Sequence, residues 1–146
     1  GDAVASLNYL ETRLREWIAR QNQSGLECLR NVEFLSPEGE AVRAPLCVYL
    51  HGKPPERDPR GRLLVAPEWM ACALDDSHTP FTVVDTLNRC RAAGVRELWV
   101  LSSARRRLWV GLNREKGWEA QARQQACMES RLLKGFSVRL DELFPS

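Results

Sequence analysis

The sequence predicts a mixed α/β (α+β) fold, a central sheet with an N-terminal helix and one further helix packed on it. Three observations carry this. Apolar residues near the N-terminus recur at helical spacing, several short apolar or β-branched stretches follow between turn signals, and a second helix with clear start and stop residues falls between two of them.

In the first helix, Val4, Leu7, Leu10, Leu14, Trp17 and Ile18 recur at three- and four-residue steps, which puts them on one stripe between Val4 and Gln21. After Asn22-Gln23-Ser24-Gly25 come the short stretches LECLR and NVEFL. Ser36-Pro37-Glu38-Gly39 then has the chemistry of a chain reversal, predicting a strand pair. VRAPLCVYL is β-branched and apolar, hence a core strand; it runs into HGKPPERDPRGR, too rich in proline, glycine and charge to pack. LLVAPEWMACAL is almost continuously apolar and predicts one buried strand, ended by Asp75-Asp76-Ser77-His78.

The second helix is punctuated at both ends. Thr79 is an N-cap, Pro80 a first helical residue, Val83, Val84, Leu87 and Cys90 an apolar face, and Gly94 a left-handed terminator. ELWVLS and RLWVGL flank Ser103-Ala104-Arg105-Arg106 and predict a hairpin in which Leu98, Val100, Leu108 and Val110 alternate. The tail, GWEAQARQQ, ESRLL and GFSVRLDELF, predicts one or two further strands and a last helical turn at Asp141–Phe144. A chain of 146 residues fits one domain, residues 1–146, with neither repeats nor low-complexity tracts.

Lys and Arg exceed Asp and Glu by only two, so net charge does not argue for nucleic acid. The five cysteines are odd in number, scattered and without a CxxC pair, and there are two histidines. Neither a zinc site nor a disulfide framework is indicated, and a reducing cytoplasm fits best. Cys72, Cys90, His51 and His78 form no nucleophile or metal motif; both cysteines lie in apolar stretches and are expected in the core. No apolar run reaches the roughly 18 residues that span a bilayer, and no membrane partner is expected.

The strand RAPLCVYLHGKPP, the strand APEWMACAL, the helix ending RAAGVRELWVL and the closing KGFSVRLDELF occur in an order that resembles a known family. It is the small restriction-endonuclease-type family abundant in cyanobacteria, formerly domain of unknown function 820, of the PD-(D/E)XK superfamily. The likeness spans Leu7 to Phe144, without the hairpin that precedes the first helix in the family. It implies a restriction-endonuclease-like fold and a metal site of three residues: an Asp after the proline of the first motif, a Glu on the next long strand and a Lys on the helix before AGV. The carboxylates would hold Mg²⁺, and the metal and the Lys would activate water against a phosphate.

Carried over, these positions hold Leu46, Cys72 and Thr86. A hydrocarbon, a neutral thiol and a hydroxyl cannot do that work, which implies no resident cofactor and an inactive nuclease-like domain. It would serve instead as a protein-binding or assembly module, by self-association as a dimer or in a larger assembly. Two alternatives stand beside it. One is an Mg-dependent nuclease whose carboxylates have migrated to Asp75, Asp76, Asp85 or Glu68. The other is a non-cleaving nucleic-acid binder using Arg105, Arg106 and Arg107 with Lys53, Arg57, Arg60 and Arg62; Arg89, Arg91 and Arg96 around the second helix are further basic candidates, and all would need to converge on one face. The tryptophans Trp17, Trp69, Trp99 and Trp109 are expected in the core; Trp118, among polar residues, is the candidate for a partner surface.

Overall fold

Leu7, Leu10, Leu14 and Trp17 are buried along one side of α1, Asp2–Arg20, as the helical spacing requires. Val4 is 53% exposed, so the buried stripe starts one turn later than the pattern suggests. The computed structural model describes every residue except Gly1, His51, Lys53, Pro54, Asp75, Asp76, His78, Glu115, Lys116, Gln124, Gln125 and Ser146. At Asp2, Arg114 and residues 117–123 it describes the backbone alone.

Six strands form one sheet in chain order: β1 (Glu27–Leu35), β2 (Ala41–Tyr49), β3 (Trp69–Leu74), β4 (Glu97–Ser102), β5 (Arg107–Arg114) and β6 (Gly117–Arg123). All neighbours are antiparallel except β3 and β4, which run parallel. A parallel pair needs a crossover, and α2 (Pro80–Ala93) supplies it. A second sheet pairs β7 (Cys127–Glu129) with β8 (Ser137–Arg139), and α3 (Leu140–Leu143) follows. The chain thus has the mixed sheet, N-terminal helix and further helix that its pattern predicts. No helix among the described residues is long and apolar enough to cross a membrane.

LECLR and NVEFL merge into the single strand β1. Between them Asn31 adopts φ 54°, where the register passes from Arg30 opposite Leu46 to Val32 opposite Ala44. Pro45 falls in that gap and has no N–H to contribute, so the ladder skips there without slipping. The 36–39 turn forms as predicted: Gly39 N–H donates to the Ser36 carbonyl at 2.9 Å, and Glu40 N–H donates to Ser36 Oγ at 3.1 Å.

LLVAPEWMACAL is not one strand. Pairing begins only at Trp69, while Leu64 and Val65 are exposed. Leu63 is pulled aside to bridge Phe34 on the outer edge of β1, exchanging backbone hydrogen bonds with Glu33 and Leu35. An apolar run does not distinguish a docked loop from a strand.

Helix α2 is capped as predicted. Thr79 accepts from Thr82 N–H, Pro80 opens the helix, and Gly94 closes it at φ 106°. Arg106, at φ 51°, completes the turn between β4 and β5. Their alternation is not one-sided, however. Leu98 and Val100 face α2, whereas Leu108 and Val110 face α1, because both faces of the sheet are covered. In the tail, Glu129 of ESRLL ends β7, and Ser130 to Leu133 form the connection after it rather than a strand.

The two faces carry separate cores. On the α1 face, Leu46, Trp69, Ala71, Trp99 and Leu101 meet α1 together with Met128, Leu133 and Phe136 from the C-terminal segment. On the α2 face, Cys47, Met70, Cys72, Leu98 and Val100 meet Val83, Leu87, Cys90 and Ala93.

Candidate functional site

The alternation of β2 and β3 decides where the carried-over positions point. Leu46 lies opposite Ala71, fully buried in the α1-side core, whereas Cys72, one residue on, faces α2. Thr86 is half-buried on α2, between the buried Val83 and Leu87. Cys72 and Thr86 therefore belong to one layer and Leu46 to the other. The sheet itself separates Leu46 from the other two.

Cys72 is 9% exposed, and burial pushes its thiol far above the ordinary value, with the neighbouring Cys90 adding to the effect. Burial likewise raises Cys90 to about 11 and Cys47 to about 12. These thiols keep their protons at neutral pH and act as small apolar residues. The expectation of cysteines in the core holds for Cys72 and Cys90.

Among the proposed substitutes, Glu68 is buried, and its Oε1 accepts Leu50 N–H at 2.8 Å. Its backbone carbonyl accepts the N–H groups of Arg96 and Glu97, both at 3.0 Å. It ties the end of β2 to the entries of β3 and β4. Four residues of extended strand put Glu68 about 13 Å from Cys72 along the chain, well beyond sharing one ion. Asp85 is exposed on α2. Asp75 and Asp76 lie outside the described residues, as do Lys53, His51 and His78, and so does the Trp118 side chain.

The arginines fall into two groups. In the loop before β3, the Asp58 carboxylate accepts the backbone N–H groups of Arg60 and Arg62 and pairs with the Arg62 guanidinium at 2.8 Å. Arg57 donates to the Gly61 carbonyl. Among the described residues of that loop, Arg62 is therefore the arginine neutralised by an ion pair, and Arg57 is held by a backbone carbonyl. At the β4–β5 turn Arg105 and Arg106 are exposed and Arg107 is half-buried; Arg106 donates to the Pro145 carbonyl at 3.0 Å. Leu63 lies outside β1, five ladder steps from β5, so about 24 Å separates the two groups across the sheet. They do not form one phosphate-tracking surface.

A residue absent from the sequence-based candidates organises the α1 face instead. Glu97 opens β4 and is 1% exposed. One carboxylate oxygen accepts the Trp69 indole N–H at 2.9 Å, the Trp99 indole N–H at 3.0 Å and the Ser130 hydroxyl. The other accepts the backbone N–H groups of Arg131 and Leu132 at 3.0 and 3.1 Å. Five donors fill the lone pairs of the carboxylate, so Glu97 is a joint between the sheet and the C-terminal segment rather than a reacting group. Trp69, Trp99 and Phe136 pack over it with ring centroids 5.3–6.2 Å apart. The available signal was an acid opening the strand ELWVLS two residues before a tryptophan, since residues i and i+2 of a strand share a face.

Residues 2–141 match the Uma2 family, described as "Putative restriction endonuclease". The chain belongs to this family. Among solved structures it is similar to a "putative nuclease belonging to DUF820" from Anabaena variabilis, with a TM-score of 0.77 at 12% identity, covering 99% of this chain and 80% of that one. That likeness establishes the restriction-endonuclease-like fold. No curated protein matches the chain. The family's Mg²⁺ chemistry finds no fit at the carried-over positions, which offer a hydrocarbon, a protonated thiol and a hydroxyl on two faces of the sheet. Among the described residues no three His, Cys, Asp or Glu side chains are grouped to hold a metal ion.

Proposed function

We propose that this member of the Uma2 family is a nuclease-fold domain that does not cleave, and that it works as a protein-binding or assembly module. One observation carries the reading. Cys72, where the family resemblance calls for a metal-binding Glu, is sealed in apolar packing as a neutral thiol. A hard divalent cation needs charged oxygen at that position. With the scaffold kept and the chemistry removed, binding is the role left to the surface. Four buried free thiols and one exposed one suit a reducing compartment such as the cytoplasm.

The test is incubation of the purified chain with duplex DNA, single-stranded DNA and RNA in Mg²⁺ and in Mn²⁺. No cleavage above a metal-free control is expected. Cleavage that disappears in Asp75→Ala or Asp76→Ala would instead establish an active site rebuilt from migrated carboxylates.

A further inference from the structure

Helix α2 covers its face of the sheet incompletely. Between it and the β4–β5 hairpin runs a cavity of about 300 Å³ lined by Val83, Val84, Leu87 and Trp109, with Arg105 and Arg107 on one wall. Val84 is 54% exposed, and Phe81, three residues earlier and so beside it on the helix surface, is 78% exposed. Large apolar side chains this open, next to a concave apolar floor, mark a surface that is covered in use.

The charges indicate what covers it. Neither Arg105 nor Arg107 has an ion-pair partner among the described residues, and Asp85, exposed on α2, is not among the residues that line the cavity. Among the described residues that line it the wall carries only positive charge, and its ligand should bring carboxylates. A second copy of this chain would present its own Arg105 and Arg107 to the same wall, like charge against like. Nucleic acid would bring negative charge, yet strand binding needs a run of cations along a backbone, and only Arg105 and Arg107 line the groove. An apolar segment flanked by Asp or Glu satisfies both the floor and the wall.

We infer that the groove between α2 and the β4–β5 hairpin docks a short acidic, apolar segment of a protein partner. Its apolar side chains would seat against Val83, Val84 and Leu87, beside Phe81, and its carboxylates would meet Arg105 and Arg107. This rests on the reading of the chain as a protein-binding module and names the chemistry of the partner.

The experiment pans a phage-displayed random dodecapeptide library against the intact chain, then measures binding of the synthesised consensus peptide by fluorescence anisotropy. The expected consensus places Asp or Glu beside large apolar residues. Its affinity should fall at least about ten-fold in Arg105→Glu/Arg107→Glu and in Val84→Asp, and weaken as salt rises, with circular dichroism unchanged. Arg20→Glu, on the opposite face, should leave it unmoved. No enrichment, or a consensus without acids that ignores both groove variants, overturns the inference. So does a chain that sediments as a dimer and is dissociated by Val84→Asp, or an oligonucleotide that displaces the peptide. Cleavage in the nuclease assay with peptide binding intact would sink the inactive-nuclease reading alone and leave the groove assigned.

Discussion

The two faces of the sheet are built to different standards. On the α1 side, Trp69 packs edge to face with Trp99 and with Phe136 over a carboxylate that takes five hydrogen bonds, and the segment after β7 closes the layer. Trp17 adds an indole N–H donated to the Lys134 carbonyl at 2.9 Å. On the α2 side Phe34, Tyr49, Leu63, Met70 and Leu98 pack with three thiols under one helix, without a buried carboxylate joint like Glu97 among the described residues, and Phe81 and Val84 are open to water. Rigidity and polar satisfaction are concentrated on one face. The carried-over positions Cys72 and Thr86, together with the open groove, lie on the other. On the proposed reading, stability and binding fall to opposite sides of one sheet.

That division can be broken most forcefully at Glu97. Glu97→Ala would leave two indoles, a hydroxyl and two backbone N–H groups without an acceptor, and should cost at least about 4 kcal/mol in urea unfolding or prevent folding. A loss below about 1 kcal/mol would show that the joint is dispensable. Leu46→Asp, which restores the acid of the family motif, comes next. It buries a carboxylate in the α1-side core and should cost about 3–5 kcal/mol with no Mn²⁺-dependent recovery. Stabilisation of that variant by Mn²⁺ would mean that Leu46 does reach a metal position.

Leu14→Ala and Leu87→Ala compare the two layers directly. Both lie in the range of about 2–5 kcal/mol for buried leucine, and Leu14 should fall near the top and Leu87 near the bottom, since the open α2 side can relax into the gap. Equal losses would erase the contrast.

The thiols give a smaller, pH-dependent effect. Unfolded cysteine ionises near 9.0, while the folded Cys47 holds its proton to about 12. The stability from this burial is therefore complete below pH 9 and is lost as pH rises towards 12. Urea midpoints should fall as pH rises from 9 towards 12, and Cys47→Ala should flatten that fall. A thiol reagent at neutral pH should modify Cys127 quickly and the four buried cysteines only after denaturation. Smallest of all, Val84→Asp should change stability by no more than about 0.5 kcal/mol.

Much of the fold was legible because its signals are local. The stripe of α1, the Thr79-Pro80 start and Gly94 stop of α2, and the turns at 36–39 and 103–106 each depend on a few neighbouring residues. What failed depended on long-range packing. Leu63 leaves the apparent strand to dock on β1, and Val100 and Val110 face opposite ways, because the apolar pattern of a sheet covered on both sides does not reveal its faces. The site positions were visible as identities but not as a layout. That Leu46 and Cys72 are separated by the sheet follows only from the register of β2 against β3. Glu97 resembled a polar strand end, and its role emerged only once Ser130, Arg131 and Leu132 were brought to it from more than 30 residues away.

The central claim is that this nuclease scaffold has lost its metal site, and a Mn²⁺ titration of the intact chain, followed by electron paramagnetic resonance, tests it most directly. The account predicts a signal that grows in proportion to added Mn²⁺, as in buffer alone. Saturable binding of one ion per chain, lost in Asp75→Asn or Asp76→Asn, would contradict it.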